Sequence, residues 1–223
     1  MKQLILLLVA TGICLCDVTS NCDGNKFVIC QKKFSDSLGI DQSYNWQNPL
    51  GLTTQIQNIY IKGGPNGQRG LNAVCNAYNS FIQCLSDSAF TAFECFDPRW
   101  LIKASSTPNQ AYSYAFLMNM IQYQCGAGFY IASDNWSCMQ RIYAGKNGTM
   151  TGCITNFVLN TQEDPNNACS YVQKGMDCFG DSARLQGCPD ELRYYGCESF
   201  KQYTAPQFAY CTTQQCVVDT TFR

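Results

Sequence analysis

The 223-residue chain contains no histidine. That absence removes Ser-His-Asp triads, Cys-His dyads, zinc-protease helices and histidine-dependent phospholipase sites, all of which use imidazole as base or ligand. No Cys-x-x-Cys occurs, so the close cysteine pairs of structural zinc sites are missing, and neither a metal nor another cofactor is expected. No Ser-x-x-Lys offers a serine its lysine base. Charged residues are scarce, at 14%, with no block of one sign. A nucleic-acid or anionic-membrane partner would leave a basic footprint, and none is present. The glycines of CGAGF at 125–129 follow no strand and complete no GxGxxG, so a nucleotide loop is not expected.

What the chain has is cysteine, 16 in all. Two of them lie in the opening MKQLILLLVATGICLC, where Lys2 precedes an apolar run from Leu4 to Ile13 and then small residues, the order of a secretory signal peptide. The run is too short to span a bilayer. Cleavage is expected between Cys16 and Asp17, giving a signal over 1–16 and one cysteine-rich domain over 17–223. A bacterial lipoprotein signal fits poorly, because Ile13 and Leu15, and no small residue, precede Cys14 and Cys16. The mature chain would carry 14 basic and 16 acidic side chains, a net charge of −2.

The cysteines that remain are Cys22, Cys30, Cys75, Cys84, Cys95, Cys125, Cys138, Cys153, Cys169, Cys178, Cys188, Cys197, Cys211 and Cys216. Their even number, in an oxidising secretory route, implies complete disulfide pairing. Each unstrained bridge adds roughly 2–4 kcal/mol. The pairing stays open, since fourteen cysteines allow roughly 135,000 connectivities. A secreted, extracellular location follows from the same reading, with oligomeric state undetermined.

Hydrophobic periodicity points to a mainly α fold. Leu71, Val74, Cys75, Tyr78, Phe81, Ile82 and Leu85 recur at three- and four-residue steps, predicting an amphipathic helix over 71–85. Phe27, Cys30, Phe34 and Leu38 predict another, stopped by Gly39. Leu52, Ile56, Ile59 and Tyr60 predict a third, ended by the GGPNG turn at 63–67. From Pro108 the run NQAYSYAFLMNMIQYQC is apolar nearly all round and predicts the most buried helix, with Ser113, Asn119, Gln122 and Gln124 arguing against a membrane span.

Cysteine spacing contains an internal echo. CNAYNSFIQCLSDSAFTAFEC at 75–95 and CSYVQKGMDCFGDSARLQGC at 169–188 share eight residues between their first two cysteines and an Asp-Ser-Ala at the same offset. A weaker third copy begins at Cys22. The pattern predicts repeated helical hairpins, each stapled by cysteine to its neighbours. A nine-residue step turns a helical side chain by about 180°, so Cys75 and Cys84, like Cys169 and Cys178, face two different partners.

Paired carboxylates are the remaining catalytic route. Glu94 with Asp97, Glu163 with Asp164, and Asp190 with Glu191 all sit beside prolines where turns and helix starts are expected, which favours capping over glycosidase chemistry. No catalytic residue is assigned. Two sequons, Asn135 in NWS and Asn147 in NGT, are N-glycosylation candidates. Asn147 is the better of the two, because Asn-Gly marks an exposed turn, whereas Trp136 and Cys138 crowd Asn135. Trp46, Trp100 and Trp136 are expected in the core, the usual place of large aromatics.

The cysteine layout resembles the nematode chondroitin proteoglycan 4 domain family of secreted cysteine-rich proteins. The likeness is carried by CQKKFSDSLGID at 30–41, VCNAYNSFIQCL at 74–85, AYSY and YQCGAGF near 111–129, ACSYVQKGMDC at 168–178, and the tail from GCPDELRYYGCESF to FAYCTTQQC. The resemblance implies an extracellular matrix, eggshell or coat setting and a structural or interaction role, with a protein or matrix polysaccharide as partner. Chondroitin is carried on Ser-Gly in such proteins, and this chain has no Ser-Gly. The alternative expectation is a secreted carrier of lipid or another hydrophobic ligand, bound near the helix at 111–123.

Overall fold

The computed structural model describes residues 22–86, 92–104, 106–145, 149–211 and 215–217; the expected signal at 1–16 lies outside them. Among the described residues there are ten α-helices and no strand. Helix α1 (Gly24–Leu38) starts where the Asp23 carboxylate accepts from the N–H groups of Asn25 and Lys26, and it ends at Gly39, whose φ of 65° lies in the left-handed region that favours glycine. Helix α2 (Pro49–Lys62) is capped by the Asn48 side chain and followed by a 3-10 turn at Pro65–Gly67. Helix α3 (Gly70–Ser86) is strongly amphipathic, and α4 (Pro98–Lys103) is capped by Asp97.

Helix α5 (Pro108–Cys125) opens with a capping box in which Thr107 and Gln110 satisfy each other's backbone N–H groups. It encloses Tyr114, Leu117, Met118 and Ile121 completely and packs against α2, α3 and α4. The short α6 (Phe129–Asp134) and α7 (Trp136–Ala144) lead to α8 (Thr149–Glu163), α9 (Ala168–Leu185) and α10 (Asp190–Phe208). Helix α10 lies against both α9 and α5, so the all-round apolar character of α5 reflects a helix with neighbours on most sides.

Seven disulfides use every cysteine from Cys22 to Cys216. The first three are Cys22–Cys95, Cys30–Cys84 and Cys75–Cys125. The next three are Cys138–Cys188, Cys153–Cys178 and Cys169–Cys211. Within each set of six cysteines the order is first to fifth, second to fourth, third to sixth. The seventh bridge, Cys197–Cys216, stands outside this plan and ties residues 215–217 to α10.

The shared connectivity makes the chain a duplicated structure. Helices α1, α3 and α5 of the first half correspond to α8, α9 and α10 of the second. In both halves the first cysteine of the central helix bridges forward, Cys75 to Cys125 and Cys169 to Cys211. The one nine residues on bridges backward, Cys84 to Cys30 and Cys178 to Cys153. Opposite faces of α3, and of α9, are thus tied to different helices. The stretch from Cys22 supplies the first two cysteines of the first half, with Cys138 and Cys153 as counterparts, and is therefore a part of that half and no third copy. Of the two Asp-Ser-Ala motifs, that at 87–89 lies outside the described residues, and the one at 181–183 is in α9.

The halves differ in how their central helix packs. Phe81 of α3 fills its space with aromatic contacts, its ring centroid 5.5 Å from Phe34 and 5.6 Å from Phe96. Gly175 holds the corresponding place in α9, six residues after the first cysteine, and the ring of Phe200 from α10 occupies the space it leaves. Gly196 of α10 meets the Phe179 carbonyl in the same way. Small residues at these places let α9 and α10 approach more closely than α3 and α5.

Candidate functional site

In each carboxylate pair singled out in the sequence, at least one member serves local structure. Asp97 accepts from the Arg99 N–H at 2.8 Å, and its contact with the Arg99 guanidinium lowers its pKa from the ordinary carboxylate value. Asp164 accepts from the Asn167 amide at 2.5 Å. Asp190 and Glu191 form the first turn of α10, where negative charge complements the helix dipole. Among the described residues no three His, Cys, Asp or Glu side chains converge in a way that would hold a metal ion, and no helix is long and apolar enough to cross a membrane.

Asn135 sits between α6 and α7, partly buried. Its side-chain nitrogen, the atom an N-glycan would use, donates to the Ile131 carbonyl at 3.0 Å and to the Glu191 carboxylate at 2.6 Å. Asn147 lies outside the described residues. Trp136 is buried, while Trp46 and Trp100 are partly covered and flank Phe27 edge-on at 5.3 and 4.9 Å.

A tyrosine layer joins the two halves. The Tyr60 hydroxyl of α2 donates to Gln124 of α5 at 2.8 Å, and the Tyr60 ring lies 4.7 Å from that of Tyr143 in α7. The hydroxyls of Tyr143, Tyr195 and Ser199 are buried in the same layer without a hydrogen bond of ordinary geometry. Burial raises the pKa of Tyr60, Tyr143 and Tyr195 well above the usual phenol value. These hydroxyls are sealed from solvent, so the layer is structural.

Two surface grooves flank α5. The first, of about 330 Å³, lies where α5 meets α8 and α10, and its aromatic surface comes from Tyr112, Phe116, Phe157, Phe208 and Tyr210. The second, of about 440 Å³, lies between α5, α4 and the Pro206 turn of α10, with Phe93 and the Asp97–Arg99 pair at its rim. Pro206 lacks the backbone N–H that would continue the α10 hydrogen-bond ladder. The sequence marks the neighbourhood of 111–123 for a hydrophobic ligand but no aromatic as a binding residue, because tyrosine and phenylalanine at helical spacing are indistinguishable from core positions until the neighbouring helix is placed. The chain matches no family model, no curated protein and no solved structure.

Proposed function

We propose that the chain is a secreted extracellular interaction domain without catalytic activity, held in shape by its bridges and recognising a matrix polysaccharide or another extracellular protein. The observation that carries this reading is the complete pairing of the cysteines in a duplicated order, an arrangement that belongs to an oxidising compartment. The signal-like opening at 1–16 and the resemblance to the chondroitin proteoglycan 4 domains support the same setting. Without Ser-Gly, the chain has no chondroitin attachment site of its own. The carrier alternative draws less support, since the surroundings of α5 are filled by side chains such as Phe27, Phe96 and Tyr203.

Mass spectrometry of the protein expressed in a eukaryotic secretory host tests this. The expected product is in the medium, begins at Asp17, and gains fourteen mass units on reduction, one for each cysteine from Cys22 to Cys216. Retention inside the cell with free thiols would refute the reading and reopen redox or metal roles for the cysteines.

A further inference from the structure

We propose that the groove between α5, α8 and α10 binds an uncharged saccharide chain, an assignment that rests on the extracellular interaction reading and names its ligand. The chain carries 15 basic and 16 acidic side chains, yet none of them lines this groove. Beside the phenols of Tyr112 and Tyr210, its polar side chains are amides and aliphatic hydroxyls alone: Asn109, Ser113, Thr161, Gln162 and Gln207. Apart from Thr161, whose hydroxyl donates back to the carbonyls of Phe157 and Val158, these side chains make no hydrogen bond with any described residue. Four side chains with donor and acceptor capacity therefore face the groove unengaged, next to aromatic rings.

Sugar rings present this combination in reverse. Their hydroxyls need both donors and acceptors, which amides supply and a lone charge does not. Their C–H faces stack on aromatic rings, and Tyr210, 67% exposed at the edge of the groove, offers such a face. Its volume of about 330 Å³ is at the lower end for ligand pockets and suits about one or two pyranose rings of a longer chain.

The missing charge also excludes competitors. A sulfated or uronic glycan would lose hydration in the groove with no cation to compensate it, so chondroitin itself is a poor ligand here. A basic or proline-rich peptide flanked by arginine would find no carboxylate. Because α5 belongs to the first half and α8 and α10 to the second, the groove exists only when the two halves are docked.

The test is isothermal titration of the full secreted, oxidised chain with hexamers of β-1,4-linked N-acetylglucosamine and β-1,3-linked glucose, beside a chondroitin sulfate hexamer and a proline-rich decapeptide. A neutral hexamer is expected to bind, with Tyr210→Ala weakening it about tenfold, the order of one aromatic contact, and Gln162→Ala weakening it severalfold. Both side chains are exposed, so an unchanged melting temperature separates lost contact from lost fold. Absence of binding to either neutral hexamer overturns the proposal. So does binding indifferent to both substitutions, or preference for the sulfated glycan or the peptide. The extracellular reading fails separately, on free thiols in the mass measurement, which is made on the same preparation before titration.

Discussion

Gly175 of α9 faces the ring of Phe200 on α10 so closely that a Cβ at position 175 would lie 2.1 Å from two of the ring carbons. Alanine normally stabilises a helix interior by about 1 kcal/mol relative to glycine. Here the ring would have to move within a filled core, at a cost of about 1–3 kcal/mol, and the clash wins because Phe200 is itself wedged against Phe157 and Phe179. Gly175→Ala is expected to lower stability by up to about 2 kcal/mol in denaturant unfolding. A neutral or stabilising result would mean that α9 and α10 are less closely apposed.

The bridges are unequal. Cys30 is fully buried where α1 meets α3, and its bridge to Cys84 spans 54 residues, against 19 for Cys197–Cys216. Loop entropy alone favours the longer bridge by about 1 kcal/mol, and serine at 30 would add the cost of a buried hydroxyl. The double substitution Cys30→Ser with Cys84→Ser is therefore expected to reduce stability and secreted yield far more than Cys197→Ser with Cys216→Ser. The latter should retain the other six bridges in their order on peptide mapping. Equal losses, or scrambling in the second variant, would contradict this.

Alkaline pH should unfold the protein cooperatively. Tyr60, Tyr114, Tyr143 and Tyr195 have phenol pKa values raised by burial, while in the unfolded chain they ionise near about 10. A folded pKa above the unfolded one gives stability that is full below about pH 10 and lost as pH rises beyond it. Phenolate absorbance is expected in two stages, exposed tyrosines first and the buried set together with loss of helical signal. A single smooth titration with helicity intact would count against the enclosed layer.

Asn135 should leave the secretory pathway unmodified. Its side-chain nitrogen holds the α6–α7 junction to Glu191 on α10, and a glycan there would force apart elements that the neighbouring Cys138–Cys188 bridge draws together. Glycopeptide analysis is expected to find modification at Asn147 and a free amide at Asn135. Occupancy of Asn135 in the folded, fully oxidised product would refute the packing argument.

Much of the helical fold was legible because its helices obey local rules. The predicted spans around 27–38, 52–60, 71–85 and 108–123 become α1, α2, α3 and α5, and α1 and α2 end at the glycines the sequence marks. Helices α4, α6, α7, α8 and α10 were not, and of these α4 and α6, with six residues each, are too short for a period to emerge. The duplication was only half visible. Equal spacing survives inside α3 and α9, but Cys22 and Cys30 are separated by seven residues where Cys138 and Cys153 are separated by fourteen, and α2 intervenes only in the first half.

Pairing could not be read at all, since it depends on which helices meet. The polar residues of α5 show the same limit. In sequence, Ser113, Asn119 and Gln124 merely interrupt an apolar run; in the fold Ser113 borders a groove, Asn119 donates to the Gln202 carbonyl and Gln124 accepts from Tyr60.

No bridge joins a cysteine before residue 126 to one after it. Mechanically, this makes the domain two cross-linked links coupled by one short tether. Pulled between Cys22 and Cys216, a reduced chain would extend to about 650 Å. With the bridges intact, the load bypasses most of the polypeptide and runs through roughly 40 residues, so extension would stop near about 150 Å. The first event under tension would be separation of α5 from α10, reversible because every covalent connection survives it. A matrix that is stretched repeatedly would gain from such a unit a yield point followed by a hard stop.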